Sequence, residues 1–372
     1  MPKASAASVD ICALRLANQH LAKQSIRSAT EIVSLLGAVQ AQDYAGAKWG
    51  VAQRTTGASD AEIEKEISDS RILRTHVLRP TWHFVAAEDI RWMLAITAPR
   101  IRALMAHYDR KLGIDADVRR QTREVLTKSL RDKRQLTRTE LAQNLTNAGV
   151  HADGTQRLAH LMMHAELDGL VCSGARRGKQ FTYALLDECV ASTRELQREE
   201  ALHTLARRYF GTRGPATEDD FAWWSGLTKA DAKLAVNSLE SFESTKIDGR
   251  TYWFRPMRTP RRNAVVRLLP NYDEYVVSYT DRSATHKRVD PQQAGETFEF
   301  LGSYVITVDG QIVGRWKRSL EKTAVLVKLQ PLTRLSSTER DAVEQEAKRF
   351  AKFIGLPLRI ETANGKATAR TL

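Results

Sequence analysis

Two glutamines, Gln40 and Gln42, stand two residues apart, directly after the helix-like run that ends at Leu36. Tyr44, Trp49 and several small residues follow them. Glutamine is neither a strong base nor a nucleophile, so its amide serves chemistry by hydrogen bonding. A Gln-Ala-Gln triplet is therefore suited to orienting a water molecule, a base edge or another side chain. The alternative is a polar helix end that takes part in no chemistry.

The composition is that of a soluble globular protein. The chain has 372 residues, 42% hydrophobic and 27% charged, which is enough for two or three domains. No stretch approaches the roughly 20 apolar residues of a membrane span, and the N-terminus has no apolar signal core. Cys12, Cys172 and Cys189 lack CxxC spacing, which argues against a disulfide framework and a zinc site. We therefore expect a cytoplasmic protein.

The charge balance points to a polyanionic partner. The formal net charge is +13 and the pI is about 9.7. Such a balance favours nucleic acid, and arginine suits bidentate contacts with phosphate. Basic proteins without a DNA role are also common, so a scaffold or partner-binding protein is an alternative.

One structural pattern recurs along the chain: a helix, a turn, a second helix and a two-stranded wing. The middle copy is the clearest, with a capping box at Thr137 and Glu140 and a second helix over 155–168. Strands over 170–172 and 181–185 follow it. The third copy ends in a hairpin around Asp248-Gly249. The first copy is looser, with helix caps at Ser28 and Ser59, a strand pair over 72–85, and a helix predicted over 9–27 ahead of it.

The pattern changes to strands after residue 256. Strands are predicted over 265–269, 275–279, 304–308, 311–316 and 323–328, and a helix over 337–353. Together the patterns predict an α+β fold with three tandem winged helix-turn-helix units, followed by a small C-terminal β-barrel or sheet with a terminal helix. The predicted units span 9–110, 111–190, 191–256 and 257–360. Helices followed by wings are typical of DNA-binding proteins, although such units can also be scaffolds.

Two further groups of residues could carry chemistry but favour structural roles. His160 and His164 lie four apart on one predicted helix, which is a metal-ligand spacing. Without an HExxH arrangement or an evident third ligand, core or groove-facing histidines are the simpler interpretation, and we predict no metal. Asp273 and Glu274 are adjacent carboxylates, for which we favour a structural turn with Asp273 paired to an arginine.

Candidate DNA contacts are aromatic and basic. Trp82, between Thr81 and His83, is the best candidate for stacking on a base, because its polar neighbours indicate the wall of a site. Arg79 and His83 are candidates for lining the same cleft. For each basic residue the alternative is a solvated basic face. The candidates for phosphate contacts are Arg176, Arg177, Lys179, Arg315 and Lys317.

Four segments, in this order along the chain, resemble the AlkZ-like family of winged-helix DNA glycosylases. They are 40–43 (QAQD), 74–83 (RTHVLRPTWH), 268–275 (LLPNYDEY) and 308–316 (VDGQIVGRW). The resemblance covers residues 9 to 360. It implies winged-helix units arranged in a C shape around duplex DNA, a C-terminal β-barrel, and excision of N7-alkylated purines, including bulky or crosslinked guanines.

The same resemblance gives the glutamine pair its role. The family has sites of a Gln-hydrophobic-Gln and a Gln-hydrophobic-Asp type, and this chain is similar to the first, so Gln40 and Gln42 are the expected catalytic residues. Alkylation at N7 makes guanine a cationic leaving group, so two amide oxygens that place a water and stabilise the positively charged sugar would suffice. This route needs no cofactor. We expect a monofunctional, monomeric, nucleoid-associated enzyme acting on duplex DNA with alkylated purines. The alternative is a non-catalytic winged-helix DNA-binding protein or transcriptional regulator.

Overall fold

A small antiparallel sheet lies at the centre of the molecule. The computed structural model describes residues 9–152, 154–191, 195–255, 264–289 and 302–362. The central sheet has the strand order β1 (Val39–Gln40), β3 (Trp82–Ala86), β2 (Ile72–His76). Along it, Leu73 and Val85 face one hydrophobic cluster, while Ile72 and Phe84 face another. Because successive side chains of a strand point to opposite faces, this alternation buries the sheet on both sides.

Helices surround this sheet, and the α+β fold class is confirmed. Many begin at Ser, Thr or Asp caps, and Thr137 and Ser59 are the helix caps that the sequence predicted, each forming a capping box. The helices are α1 (Ile11–Asn18), α2 (Ala29–Leu36), α3 (Tyr44–Ala52), α4 (Asp60–Ser68), α5 (Ile90–Lys111), α6 (Ala116–Leu130), α7 (Arg138–Asn147), α8 (Thr155–Leu167), α9 (Leu186–Cys189), α10 (Arg198–Arg213), α11 (Glu218–Ser225), α12 (Lys229–Val236), α13 (Glu274–Val277) and α14 (Ser337–Ile354).

The remaining strands form three further sheets in the described part of the chain. One has the order β4-β6-β5, one is the hairpin β7-β8, and the largest is five-stranded in the order β13-β12-β11-β10-β9. That largest sheet is open, so the sheet and not the barrel alternative describes it. The strands are β4 (Leu136–Thr137), β5 (Val171–Ser173), β6 (Thr182–Leu185), β7 (Glu243–Ile247), β8 (Arg250–Phe254), β9 (Val266–Leu269), β10 (Val305–Val308), β11 (Gln311–Leu320), β12 (Val325–Pro331) and β13 (Leu358–Thr362).

The middle unit has a hydrophobic cluster of its own, made of residues between Ile114 and Leu185, whereas the other predicted units share their cores. One cluster joins the central sheet and α5 to α10 and α11, and another joins the central sheet and α3 to the five-stranded sheet and α14. At one junction, Gly226 ends α11 with a φ of +66°, and a Cβ there would collide with the carbonyl oxygen of Leu78. The chain must therefore pack closely against the β2–β3 loop at this point. The unit boundaries themselves stay a prediction.

Two predicted elements are wrong. The helix expected over 9–27 ends at Asn18, since His20 takes a positive φ of 57° that an α-helix cannot accommodate. The strand expected over 275–279 is the short helix α13, because the Asp273 carboxylate accepts a hydrogen bond from the Tyr275 amide (2.8 Å) and caps a helical turn. Its β-branched and aromatic residues are typical of strands, but tertiary packing decides the outcome here.

No helix in the described ranges is long and apolar enough to cross a membrane.

A buried ion pair lies in the interior of the protein. Arg54 donates two hydrogen bonds to Asp273, at 2.9 and 2.8 Å, and both side chains are almost entirely buried. Arg54 also donates to the Gln19 side-chain oxygen at 2.7 Å. The predicted pairing of Asp273 with an arginine is confirmed.

We predict that Asp273→Asn lowers the free energy of unfolding by about 3–5 kcal/mol, because removing one partner leaves the other charge buried and uncompensated. Urea denaturation at pH 7 measures the change. The control is Asp69→Asn, which removes a carboxylate that pairs with Lys65 and Arg71 at the surface and should change stability little. Equal losses in the two variants would contradict the account.

Candidate active site

The two glutamines occupy different environments. Gln40 ends β1, is 8% exposed, and lies opposite His83 in the ladder with β3. Its side-chain oxygen Oε1 is buried and has no hydrogen-bond partner among the described residues. Gln42 is exposed, in the bend between β1 and α3. The pair thus combines a buried acceptor in need of a partner with an exposed amide at the surface.

Three hydrogen bonds fix the backbone between the glutamines. The Gln40 N–H donates to Glu274 Oε1 (2.8 Å), and the Ala41 N–H donates to the Trp82 carbonyl (2.7 Å). Arg74 Nε donates to the Ala41 carbonyl at 3.0 Å. Each bond comes from a different part of the fold, so the triplet is held rigidly although it is not part of a long strand.

Glu274 is completely buried and gathers donors from several elements. Its Oε2 accepts from Arg213 Nη2 (2.6 Å), Trp224 Nε1 (2.9 Å) and the Ser278 hydroxyl (2.8 Å). Burial alone would raise the pKa of this carboxyl, but the charge of Arg213 and the donated hydrogen bonds lower its pKa to about 2. We call Glu274, Arg213, Trp224 and Ser278 the carboxylate cluster.

Arg213 extends the same support to the residues before Gln40. It donates to the carbonyl of Leu36 (2.8 Å) and to that of Ala38 (3.0 Å), on either side of Gly37. Its guanidinium also lies 4.3 Å from the Trp224 ring centroid, a cation–π distance. The carboxylate cluster therefore sets the path of the chain into β1.

Arg74 holds the glutamine segment from the other face of the central sheet, where it stacks on aromatic rings. The Arg74 guanidinium lies 4.3 Å from the Trp82 ring and 4.7 Å from the Phe181 ring, while it bonds to the Ala41 carbonyl. The Trp82 ring also lies 4.6 Å from that of His76. Trp82, the candidate for base stacking, is half-buried and already packed on Arg74.

The residue after the pair belongs to a third support. Asp43 caps α3 by accepting from the Gly46 N–H (3.1 Å). Its other carboxylate oxygen, Oδ2, accepts from the Tyr304 hydroxyl, while Arg318 Nη2 lies 3.5 Å from the capping oxygen Oδ1. Asp43 is thus occupied by contacts to the C-terminal sheet.

His83 lies opposite Gln40 in the sheet but is buried, and Arg79, four residues before it, is half-buried. His83 is 0% exposed, so its predicted place in a cleft wall would need the cleft to reach the sheet interior. The Arg79 guanidinium lies 5.8 Å from the ring of Trp223, which is 37% exposed. Its Nε and Nη2 atoms are buried without partners among the described residues. DNA contacts by these two residues stay a prediction.

The three candidates for phosphate contacts in the β5–β6 hairpin differ in their exposure to solvent. Arg176 lies 5.1 Å from the Tyr44 ring and 3.9 Å from the Glu64 carboxylate, so it bridges towards the glutamine segment. Arg177 is exposed and bonds to Glu140 at 2.8 Å. Lys179 is exposed at the turn. Their contacts with phosphate stay a prediction.

Arg315 and Lys317 lie on β11, on the face opposite the buried Trp316. Lys317 is exposed and Arg315 is half-buried. The turn at Gly310 is buried, and its carbonyl accepts from the Tyr275 hydroxyl at 3.2 Å. The β11–β12 turn reaches solvent, with Leu320 59% exposed.

The histidine pair has a structural partner that sequence spacing could not reveal. His160 Nδ1 and His164 Nε2 lie 3.2 and 2.9 Å from the two carboxylate oxygens of Asp109 on α5. Within the described ranges no group of three or more His, Cys, Asp or Glu side chains could hold a metal ion. The favoured interpretation of these histidines as core residues agrees with their burial.

Sequence reasoning missed Arg74, Arg213 and the supporting role of Glu274. Arg74 was visible only as part of the segment 74–83, and Arg213 only as a residue before a Gly-Pro break. Their meaning depends on contacts across long sequence separations, such as the one between Glu274 and Gln40. No local pattern could have indicated these contacts.

We predict a pH-dependent contribution of Glu274 to stability. Because its folded pKa of about 2 lies below the ordinary value of 4.5, it stabilises the fold above pH 4.5 and loses this contribution as the pH falls towards 2. Urea denaturation of the wild type and Glu274→Gln should show a stability gap near pH 7 that narrows below pH 4.5. A gap that is constant with pH would contradict this assignment.

Comparisons with known proteins agree with the expected family and with the fold. The family model described as DNA glycosylase AlkZ-like matches residues 33–353. A curated relative from Streptomyces sahachiroi, named interstrand DNA cross-link repair glycosylase, is 25% identical over 94% of this chain and 98% of its own length. The solved structure of Streptomyces sahachiroi DNA glycosylase AlkZ is similar in fold, with a TM-score of 0.74 and 23% identity over 95% of this chain and 98% of that one. The chain belongs to the AlkZ-like family of DNA glycosylases.

Proposed function

We propose that this DNA glycosylase hydrolyses the N-glycosidic bond of N7-alkylated guanine in duplex DNA, with Gln40 and Gln42 positioning the water. The observation that carries the proposal is the Gln40 side-chain oxygen, a buried acceptor without a partner among the described residues. A buried polar group in that state is unfavourable unless a ligand satisfies it. The exposed Gln42, two residues on, supplies a second amide.

The chemistry suits a site without a carboxylate base. Alkylation at N7 places a positive charge on guanine, so the C1′–N9 bond breaks with the electron pair returning to the purine. Two amide oxygens held near the sugar stabilise the developing positive charge there. The three bonds to the backbone at Gln40 and Ala41 keep these oxygens in place, which removes reorganisation from the reaction.

Bulky or crosslinked guanines are the lesions that we favour. The Streptomyces sahachiroi relative is named for interstrand cross-link repair, which supports a substrate larger than a methyl adduct. The net charge of +13 supports binding to the DNA backbone. A regulator without catalysis is disfavoured, because it leaves the rigidly held glutamine pair without a role.

We expect Gln40→Ala and Gln42→Ala to slow the release of N7-methylguanine from a duplex by on the order of 10²-fold under single-turnover conditions, because each removes an oriented amide. Abasic sites are scored after mild alkaline cleavage. The control is Gln121→Ala on α6, an exposed glutamine outside the site. Unchanged release in both site variants, or no release by the wild type from either a methyl or a bulky N7 adduct, would contradict the proposal.

We also expect an intact abasic strand as the product. Lys48, the lysine closest in sequence to the glutamine pair, donates to Asp60 (2.9 Å) and Glu64 (2.7 Å) and is 3% exposed. A paired ammonium lacks the lone pair that Schiff-base formation requires. Borohydride should therefore trap no covalent enzyme–DNA complex, and strand scission should need added alkali. Trapping that is lost in Lys48→Met would show a lyase.

A further inference from the structure

The proposed hydrolysis leaves one proton without an acceptor. Addition of water to C1′ forms a C–O bond and releases a proton, and an amide oxygen can orient the water but is too weak a base to keep that proton. The carboxylate next to the glutamine pair in sequence, that of Asp43, is not free to act as this base, because it already accepts a hydrogen bond from the Tyr304 hydroxyl. The inference below rests on the proposed function and concerns the residue that accepts this proton.

His83 is the ionisable side chain placed directly opposite Gln40. The two residues are partners in the β1–β3 ladder. Because the Ala41 N–H donates to the Trp82 carbonyl, Gln40 and His83 form the adjacent, non-hydrogen-bonded pair, in which facing side chains come closest. Cβ atoms in such pairs are about 4.5–5.5 Å apart and on the same face of the sheet. The His83 imidazole and the Gln40 amide therefore extend from neighbouring strands on the same face of the sheet.

The tautomer of His83 leaves a lone pair on Nε2. Its Nδ1 lies 2.9 Å from the Thr81 carbonyl oxygen, which can only accept, so Nδ1 carries the proton. Nε2 is buried and, like Gln40 Oε1, has no partner among the described residues. Two acceptors cannot satisfy each other. A water molecule that donates one hydrogen to each would satisfy both, and since both atoms are closed off from solvent, its entry requires the site to open when DNA binds.

The surrounding charges keep His83 neutral before the reaction. Burial, and then the positive charge of Arg79, lower its pKa to about 3, with a smaller effect of His76 in the same direction. The Glu274 carboxylate acts in the opposite direction. The base is thus weak, but the water adding to an oxocarbenium-like sugar becomes strongly acidic, so a weak, correctly placed base is sufficient.

We propose that His83 is the proton acceptor for the water that Gln40 orients. The oxygen of this water bonds to C1′ as the C1′–N9 bond breaks, and the electron pair of that bond neutralises the N7-alkylated purine. One water proton passes to His83 Nε2, giving a transient imidazolium whose low pKa favours return of the proton to water once the products have left. The products are the neutral alkylated base and the abasic sugar.

The test is His83→Asn. Its side-chain amide retains the donor to the Thr81 carbonyl but provides nothing at the position of Nε2. Single-turnover excision of a bulky N7-alkylguanine should fall by about 10²-fold, with the dissociation constant for the lesion duplex unchanged within about twofold. The matched control, His107→Asn, changes an exposed histidine on α5 and should behave as the wild type.

The outcomes separate this inference from the proposed function. Excision by His83→Asn within about threefold of the wild type overturns the inference while the glutamine variants still test the function. A parallel loss of lesion affinity also overturns it, in favour of a structural role. Absence of excision by the wild type overturns the function and this inference with it. Nitrogen-15 spectroscopy of the unmodified protein gives a check without mutation, because a protonated Nε2 on His83 at pH 7 would overturn the inference.

Discussion

The structure depends on one buried carboxylate. Glu274 has no exposed surface, and a charge in such a place is tolerated only when it is paired and fully hydrogen-bonded. Its donors come from β1, α10, α11 and the residue directly after α13, the helix that carries Glu274 itself, so burial of this charge requires these four elements to meet. The demand of one side chain for donors thereby fixes the edge of the central sheet at Gln40. The catalytic geometry that we propose is a consequence of this constraint.

Burial of the central sheet on both faces further fixes the position of Gln40. Side chains on one face pack towards α5 and α10, and those on the other pack towards the five-stranded sheet and α14. A one-residue slip of β1 would exchange Val39 and Gln40 between these environments, so the register is strongly specified. Gln40 can therefore present its amide oxygen at a defined place, while the exposed Gln42 lies two residues on, at the surface. The Arg74 stack on Trp82 and Phe181 connects this place to the hairpin of the middle unit.

Local signals in the sequence predicted local structure well. Capping residues such as Thr137 and Ser59 and the turn Asp248-Gly249 determine nearby backbone by their own hydrogen bonds or dihedral preferences, and the structure has the elements that they indicate. The triplet at 40–42 was also evident, because its residue types are unusual at that spacing. Failures arose where distant contacts decide. The segment 275–279 reads as a strand, but capping by Asp273, itself held by Arg54, makes it helical. The support of Gln40 by Glu274 joins residues 234 positions apart, which no local pattern encodes.

The most direct test of the central claim is the single-turnover excision rate of Glu274→Gln on a duplex with one bulky N7-alkylguanine, at a temperature where the variant remains folded by circular dichroism. The substitution keeps the size of the side chain but weakens the acceptor that holds the Gln40 N–H and Arg213. Our account predicts a rate at least about tenfold lower than the wild type with lesion affinity retained, because the glutamine pair loses its fixed orientation. A folded variant that excises the lesion at the wild-type rate would contradict the claim that this carboxylate sets the catalytic geometry.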